Sequence, residues 1–340
     1  MVPLRPLVGI LSIAIATLEL TVLPVSTALA QNITLPAPDE GSFSTAFDFI
    51  PDGRLVTFSG FNVRLQTQQN SSTFNSLGTL PQEFLGGSDP AFVITSPAGL
   101  FFVLGTGAGG SKTPAQPFNG SIFVLPRNGG QAKLVANIPF HATGTFFRGQ
   151  DELLINRGEA SFSKSAVVRL SLKTKKVETV IDNIPGASGG VGVDRSGNVY
   201  TGIGFDPNRQ RTGEIRRFSR RDVNRALQTG TPLDFDRDGK FVAEVLSAGG
   251  LVFDTEGDLW VSGGDALGGG QQGFIAEINP QTGQVLRRID PTDGNPDGGP
   301  QVFFSIAITR PFSCTLGAVN AFDPSRTLYK IDACQTLPHK

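Results

Sequence analysis

The sequence predicts an all-β fold, a six-bladed β-propeller with four antiparallel strands per blade. Three observations carry that expectation: a strand–turn–strand unit recurring about every fifty residues, a second strand pair after most copies, and a turn-rich composition. The 340 residues include 42 Gly and 23 Pro, a balance suited to many short strands and tight turns rather than to helices.

The recurring unit is read first in "AFDFIPDGRLVTFSG" (46–60). It returns in "AFVITSPAGLFFVLGTG" (91–107), "GTFFRGQDELLINRG" (144–158), "GGVGVDRSGNVYTGIG" (189–204) and "GGLVFDTEGDLWVSGG" (249–264), with a weaker copy in "VFFSIAITRPFSCTLGA" (302–318). Aromatic and β-branched residues flank a glycine in each of the first five, so each reads as a hairpin whose turn needs a positive φ. The turn glycines Gly53, Gly99, Gly149, Gly197 and Gly257 are spaced by 46, 50, 48 and 60 residues. The second pairs are "GSIFVLPRNGGQAKLVANI" (120–138), "AVVRLSLKTKKVETVI" (166–181) and "GFIAEINPQTGQVLRRI" (273–289). Strand "KFVAEVL" (240–246) ends the fourth repeat after an enlarged connection, in which "RRDVNRALQ" (220–228) reads as a short helix capped by Ser219. The last repeat lacks a fourth strand, and "QNITLP" (31–36) is placed to supply it and close the ring.

The chain begins with Arg5, an apolar run from Leu7 to Leu18, and Ala28-Leu29-Ala30. This is the pattern of a secretory signal peptide over residues 1–30, cleaved near Ala30. The run is too short to span a bilayer, and Glu19 interrupts it. The expected product is a single propeller over 31–340, without a membrane span, that is periplasmic or secreted. A net charge of −1 argues against a nucleic-acid partner. Cys314 and Cys334 are the only cysteines. In an oxidising compartment they pair as one disulfide near the C-terminus, the alternative being two buried thiols.

The hairpins resemble the repeats of NHL-type and TolB-like six-bladed propellers, relatives of the gluconolactonase-type propellers. "GGLVFDTEGDLWVSGGD" (249–265) is similar to their pattern of Asp, two residues, Gly, one residue, then Leu-Trp-Val. The likeness covers most of residues 40–333, and what it implies is the fold. Gluconolactonase-type enzymes carry a channel metal, with an acidic ligand just before an innermost strand. Here Gly249-Gly250 and Gly189-Gly190 stand at such places, and the family's Glu and Asn ligands find no counterpart.

Asp234, Asp236, Asp238 and Gly239 have the D-x-D-x-D-G spacing of a calcium loop. Calcium is therefore a possible structural cofactor there. The twelfth position is Val245 rather than Glu, and Asp-Gly also marks a plain turn. Hairpin geometry places this stretch with the c–d turns, away from the long b–c loops. Those loops gather on the opposite face, where binding is expected. Asp89, His141, Asp206, Arg209, Asp265 and Gln271 are the ligand-binding candidates, with Glu159 and Arg211 nearby. His141 is the candidate catalytic base or ligand, the alternative being a histidine bonded to a loop carbonyl. One channel histidine excludes a multi-histidine zinc centre. The seven arginines of 209–225 read as an anion grip or as a solvated edge. Two functions fit: a binder of a small molecule, glycan or protein on the b–c loop face, or a channel enzyme of hydrolase, lyase or metabolite-maturation type.

Overall fold

The structure, a computed structural model, describes residues 29–36, 46–59, 62–80, 90–96, 101–105, 121–138, 141–159, 163–206, 212–264, 273–289, 303, 305–309, 314–320 and 326–333. Strand β1 (Leu29–Thr34) comes first. The first sheet follows with β2 (Phe47–Phe49), β3 (Leu55–Ser59), β4 (Asn62–Gln66) and β5 (Phe74–Thr79). Next are β6 (Pro90–Thr95), β7 (Phe101–Gly105), β8 (Ser121–Leu125), the two-residue β9 (Gly130–Gln131) and β10 (Lys133–Asn137). The third sheet holds β11 (His141–Phe147), β12 (Glu152–Gly158), β13 (Lys164–Ser171) and β14 (Val177–Pro185).

Then come β15 (Ala187–Val193), β16 (Val199–Phe205) and β17 (Gly213–Phe218). An insertion follows with α1 (Arg220–Thr229), β18 (Leu233–Asp234) and α2 (Phe235–Asp238), and β19 (Lys240–Val245) completes that sheet. The fifth sheet has β20 (Gly250–Phe253), β21 (Leu259–Gly263), β22 (Phe274–Ile278) and β23 (Val285–Ile289). The last has β24 (Ser305–Ile308), β25 (Thr315–Val319) and β26 (Thr327–Asp332).

These strands form six hydrogen-bonded sheets. Their first strands, β2, β6, β11, β15, β20 and β24, touch one another in sequence and return from β24 to β2. The molecule is an all-β propeller with these strands around its axis. Two sheets depart from four antiparallel strands. The short β9 joins β5 in parallel, and β18 joins β14 in parallel. Each is a piece of the following sheet's chain that covers an edge left open by its neighbour.

The hairpin turns form because aspartate and glycine act together. Gly53, Gly197 and Gly257 have φ of 84°, 81° and 91°, a region open to glycine at little cost. Beside Gly257, Asp254 Oδ1 accepts the backbone N–H of Glu256, Gly257 and Asp258, each at 2.9 Å. One carboxylate thus closes the whole turn. α1 behaves as its sequence expects: Ser219 caps it by accepting Asp222 N–H at 3.1 Å, and Gly230 ends it at φ 70°.

Apolar contacts lie between neighbouring sheets. One cluster joins Leu154 and Val167 of the third sheet to Val191 and Ile203 of the fourth, with Val223, Ala226, Leu233 and Phe235 of the insertion packed in. Another joins Tyr200 to Leu251, Phe253 and Phe274. The seam that closes the ring holds Ile33, Phe47, Phe49, Leu55, Ala307, Val319 and Leu328. There β1 pairs antiparallel with β26, Ile33 opposite Leu328 and Thr34 opposite Thr327. Arg326 bridges the two chain ends, donating to the carbonyls of Pro36 and Phe58. Cys314 is disulfide-bonded, and Cys334, the chain's other cysteine, lies outside the described residues.

Ile33 is 2 % exposed inside the closing seam. Ile33→Ala should cost about 2–5 kcal/mol in urea unfolding, whereas Asn32→Ala, on an exposed position, should stay within about 0.5 kcal/mol. Equal effects at both positions would show that β1 does not close the ring.

Candidate functional site in the central channel

The inner strands enclose a cavity of about 270 Å³. It is lined by the segments 47–49, 92–95, 143–146, 191–194, 250–253 and 306–308, one from each sheet. These segments lie toward the a–b turn ends of their strands. Phe92, Phe146, Ile94, Leu251, Phe253 and Ile306 make the wall largely apolar. Thr95, Thr143 and Thr145 add hydroxyls, though the Thr95 and Thr143 hydroxyls donate to Phe49 O and Gly189 O across neighbouring sheets, both at 2.7 Å.

Two carboxyls line this cavity, Asp48 and Asp194. Asp48 sits mid-strand in β2, where Phe47 and Phe49 turn into the closing seam and its own side chain turns the other way. Its Oδ1 accepts the N–H of Phe49 at 2.8 Å, and its Oδ2 accepts Thr95 N–H from β6 at 2.6 Å. Some of its surface still borders the cavity, yet protein surrounds it. Burial pushes the carboxyl up to about 7, against the lowering pull of the hydrogen bonds from Thr95 and Phe49. Asp194 is a turn residue: it accepts Asn198 N–H at 2.9 Å and Asn198 Nδ2 at 2.7 Å.

Sequence reasoning placed binding elsewhere. Asp89, Arg209, Asp265 and Gln271 lie outside the described residues. His141 is the first residue of β11, opposite Arg157, two positions before Thr143, where the described lining of that strand begins. Asp206 follows β16 and is half-buried, apart from the described lining. Asp48 was missed. Its one signal was a lone charge amid apolar residues of an innermost strand, in "AFDFI".

The D-x-D-x-D-G stretch is a capped helical turn. Asp234 Oδ1 accepts the N–H of Asp236 and Arg237 at the start of α2, and Oδ2 accepts Asn183 Nδ2 at 2.7 Å. The Arg237 N–H and the Asn183 amide hold the Asp234 carboxyl below its usual range. Asp238 accepts Asp234 N–H at 2.7 Å and pairs with Arg237 at 2.7 Å; Asp236 pairs with Arg216 at 3.2 Å. All three carboxylates are thus engaged by the protein's own donors. Arg216, from the arginine-rich segment, also donates to the carbonyls of Asp236 and Gly239 and stacks on Phe235. It binds the insertion together, a structural task.

Among the described residues, a different trio offers carboxylate oxygens within 4.8 Å of one another: Asp254, Asp258 and Glu277. Asp254 spends Oδ1 on its turn and Oδ2 on the Trp260 indole N–H at 2.8 Å. Glu277 accepts Arg287 Nε at 2.9 Å, and Arg287 stacks 4.6 Å over Trp260. Burial pushes Glu277 up to about 7, with Arg287 opposing, and burial also raises Asp258. Asp258 alone has an uncommitted carboxyl, one hard oxygen ligand where calcium takes six to eight.

No protein-family model and no curated protein matches the chain. Solved structures do. One is regucalcin, a calcium-binding protein from Agrobacterium tumefaciens: TM-score 0.57, 14% identity, 89% of this chain and 95% of that one. A luciferin-regenerating enzyme aligns with TM-score 0.57 at 13% identity, over 86% of this chain and 92% of its own. A gluconolactonase from Xanthomonas campestris gives TM-score 0.54 and 14% identity over 87% of each chain. At such identity these likenesses establish the propeller fold alone.

A channel metal of the kind these propellers suggest does not fit the described residues. At Gly189 an added Cβ would meet Gly202 O at 2.4 Å and Ala248 O at 2.6 Å, and at Gly190 it would meet Leu251 N at 2.8 Å. Backbone packs where a ligating side chain would have to start. That leaves Asp48 on β2 and Asp194 in the β15–β16 turn as the carboxyls of the described lining, too few for a cation that takes six to eight oxygens.

Two outcomes follow from these environments. Asp48 and Glu277 have folded pKa values of about 7, above their ordinary 3.8 and 4.5. At these two positions the folded chain binds more protons than the unfolded one between about pH 4 and 7, so the stability they contribute is fully present below that window and is lost as pH rises through it. Asp48's share is on the order of 2–4 kcal/mol. The urea midpoint of the wild type should drop across this range, and Asp48→Asn should flatten the drop; parallel profiles would refute the burial argument. Asp234, held low instead, acts only at more acidic pH. For calcium, Asp234→Asn should leave any melting-temperature difference between chelator and millimolar calcium unchanged within about 1 °C, because Asp234, Asp236 and Asp238 are engaged by the protein's own donors. Loss of a calcium-dependent rise in that variant would place the ion in the D-x-D-x-D-G turn.

Proposed function

We propose that this chain is an extracytoplasmic propeller that binds a small molecule in its central channel. The observation that carries the reading is the axial cavity of about 270 Å³, apolar-walled and with one carboxyl facing it from mid-strand. A few polar groups set in an apolar concavity at the axis of a rigid scaffold are what a small-molecule site requires. The loop-face residues Asp89, Arg209, Asp265 and Gln271 lie outside the described residues, so the reading rests on the channel alone.

The leader-like residues 1–30 support export, with cleavage after Ala30. A chain starting at Gln31 gives up the Leu29–Ile331 and Ala30–Lys330 pairs and keeps Ile33–Leu328 and Thr34–Thr327 to join the ends of the ring. The described residues contain no helix long and apolar enough to cross a membrane.

A second reading rests on Asp48. A carboxyl titrating near 7 is suited to give and take a proton at neutral pH. In a hydrolase or lyase it would take the role expected of His141. Two of the structural neighbours, the gluconolactonase and the luciferin-regenerating enzyme, are enzymes, which keeps this reading open for a propeller of this kind.

One experiment tests the proposal. The protein is recovered from the envelope fraction of its source cells and analysed by native mass spectrometry. The expected outcome is a chain starting at Gln31 that releases a small molecule on denaturation, while Val252→Trp, which fills the cavity, releases none. Release of the compound in altered form after incubation supports the enzyme. Equal occupancy in both proteins, or none in either, sinks channel binding, and recovery with residues 1–30 attached sinks export.

A further inference from the structure

Among the charged groups of the described lining are two carboxylates and no cation. Asp194 accepts hydrogen bonds from Asn198 and Tyr200, the latter at 3.4 Å. Asp48 is held by neutral donors of Phe49 and Thr95, the two backbone N–H groups foremost. Among the described residues no cationic side chain hydrogen-bonds or pairs with it. Lys330, on the other side of β2, has its ammonium 5.9 Å from the Phe49 ring centre and donates to Asn70 Oδ1 at 2.6 Å, not to Asp48. A carboxylate buried without a counter-charge is costly, and a ligand able to supply that charge gains the most from binding there.

The wall favours the same sign. Phe92, Phe146 and Phe253 border the cavity from three different sheets, and aromatic faces attract cations. An anion would meet two carboxylates, apolar and aromatic side chains and, in the described lining, no donor side chain other than threonine hydroxyls. The cavity is also smaller than the roughly 300–1,000 Å³ of sites for drug-sized ligands, so the occupant is compact.

We propose that the channel ligand is a small organic cation, a protonated amine on an apolar body, with its ammonium against Asp48 and its body among Phe92, Phe146 and Phe253. This rests on the channel-binding reading and narrows it to a ligand class. The ammonium donates to the free lone pairs of the Asp48 oxygens, while the Phe49 and Thr95 N–H groups keep the carboxylate oriented.

The test is calorimetric titration of the full chain with benzylamine, benzyl alcohol and benzoate at a pH just above 7, for wild type, Asp48→Asn and Val252→Trp. Wild type should bind benzylamine at least about tenfold more tightly than the isosteric alcohol, and benzoate least. Asp48→Asn should remove the preference, leaving amine and alcohol alike, and Val252→Trp should weaken both. Equal binding of amine and alcohol to wild type, or a preference that survives Asp48→Asn, overturns the cation assignment while channel binding stands. If no probe binds wild type, or Val252→Trp binds as well as wild type, channel binding fails and the cation with it. The wild-type order of the three probes decides the matter even if Asp48→Asn does not fold.

Discussion

Apolar contact between neighbouring sheets is the constraint on which this structure depends. The sheets are buried on both faces along their central strands: in β3 every residue from Leu55 to Ser59 is buried, and β21 and β22 are buried throughout. Such a sheet can satisfy itself only between two others. A row of them would expose an apolar face at each end, so the row closes into a ring. Closure needs the two chain ends to meet, which the β1–β26 pairing accomplishes and Arg326 reinforces from the carbonyls of Pro36 and Phe58.

The cavity is a consequence of that closure. Inner strands tilted around an axis cannot all reach it, because their side chains turn sideways into the seams. What remains at the centre is lined by backbone and by the few residues whose alternation leaves them facing it. Glycines in β15 narrow one sector, where Gly189 and Gly190 let neighbouring backbones approach within the space a methyl would need. Polar side chains then staple adjacent sheets: Thr143 to Gly189 O, Asn156 Nδ2 to Thr201 Oγ1, and Asp48 to Thr95 N–H. Asp48 is thus part of the scaffold and of the cavity at once. The hydrogen bonds that fix it in place also limit how far burial raises its pKa.

The acidic groups divide by environment rather than by sequence pattern. Asp234 and Asp238 cap and clamp a turn, where N–H donors and Arg237 favour the charged form. Asp48 and Glu277 sit deeper, and desolvation prevails over the donors each has. The segment that looked most like a metal site is therefore the most fully engaged by the protein. The carboxyl with chemical potential lies in an unremarked stretch of strand.

The sequence alone determined the repeating hairpins, because each is local: the strand alternation, the Asp-to-Gly turn and the α1 cap require only near neighbours. It also indicated the closing strand, because a last repeat one strand short and an orphan strand at the other end leave a single economical pairing. It did not determine where the channel chemistry sits. Asp48 meets Thr95 from 47 positions away, and its proton affinity depends on atoms from another sheet. The fifth strands β9 and β18 likewise depend on edges that exist only once neighbouring sheets have docked. Those properties come from summed distances in three dimensions, and residue identity at one position carries no record of them.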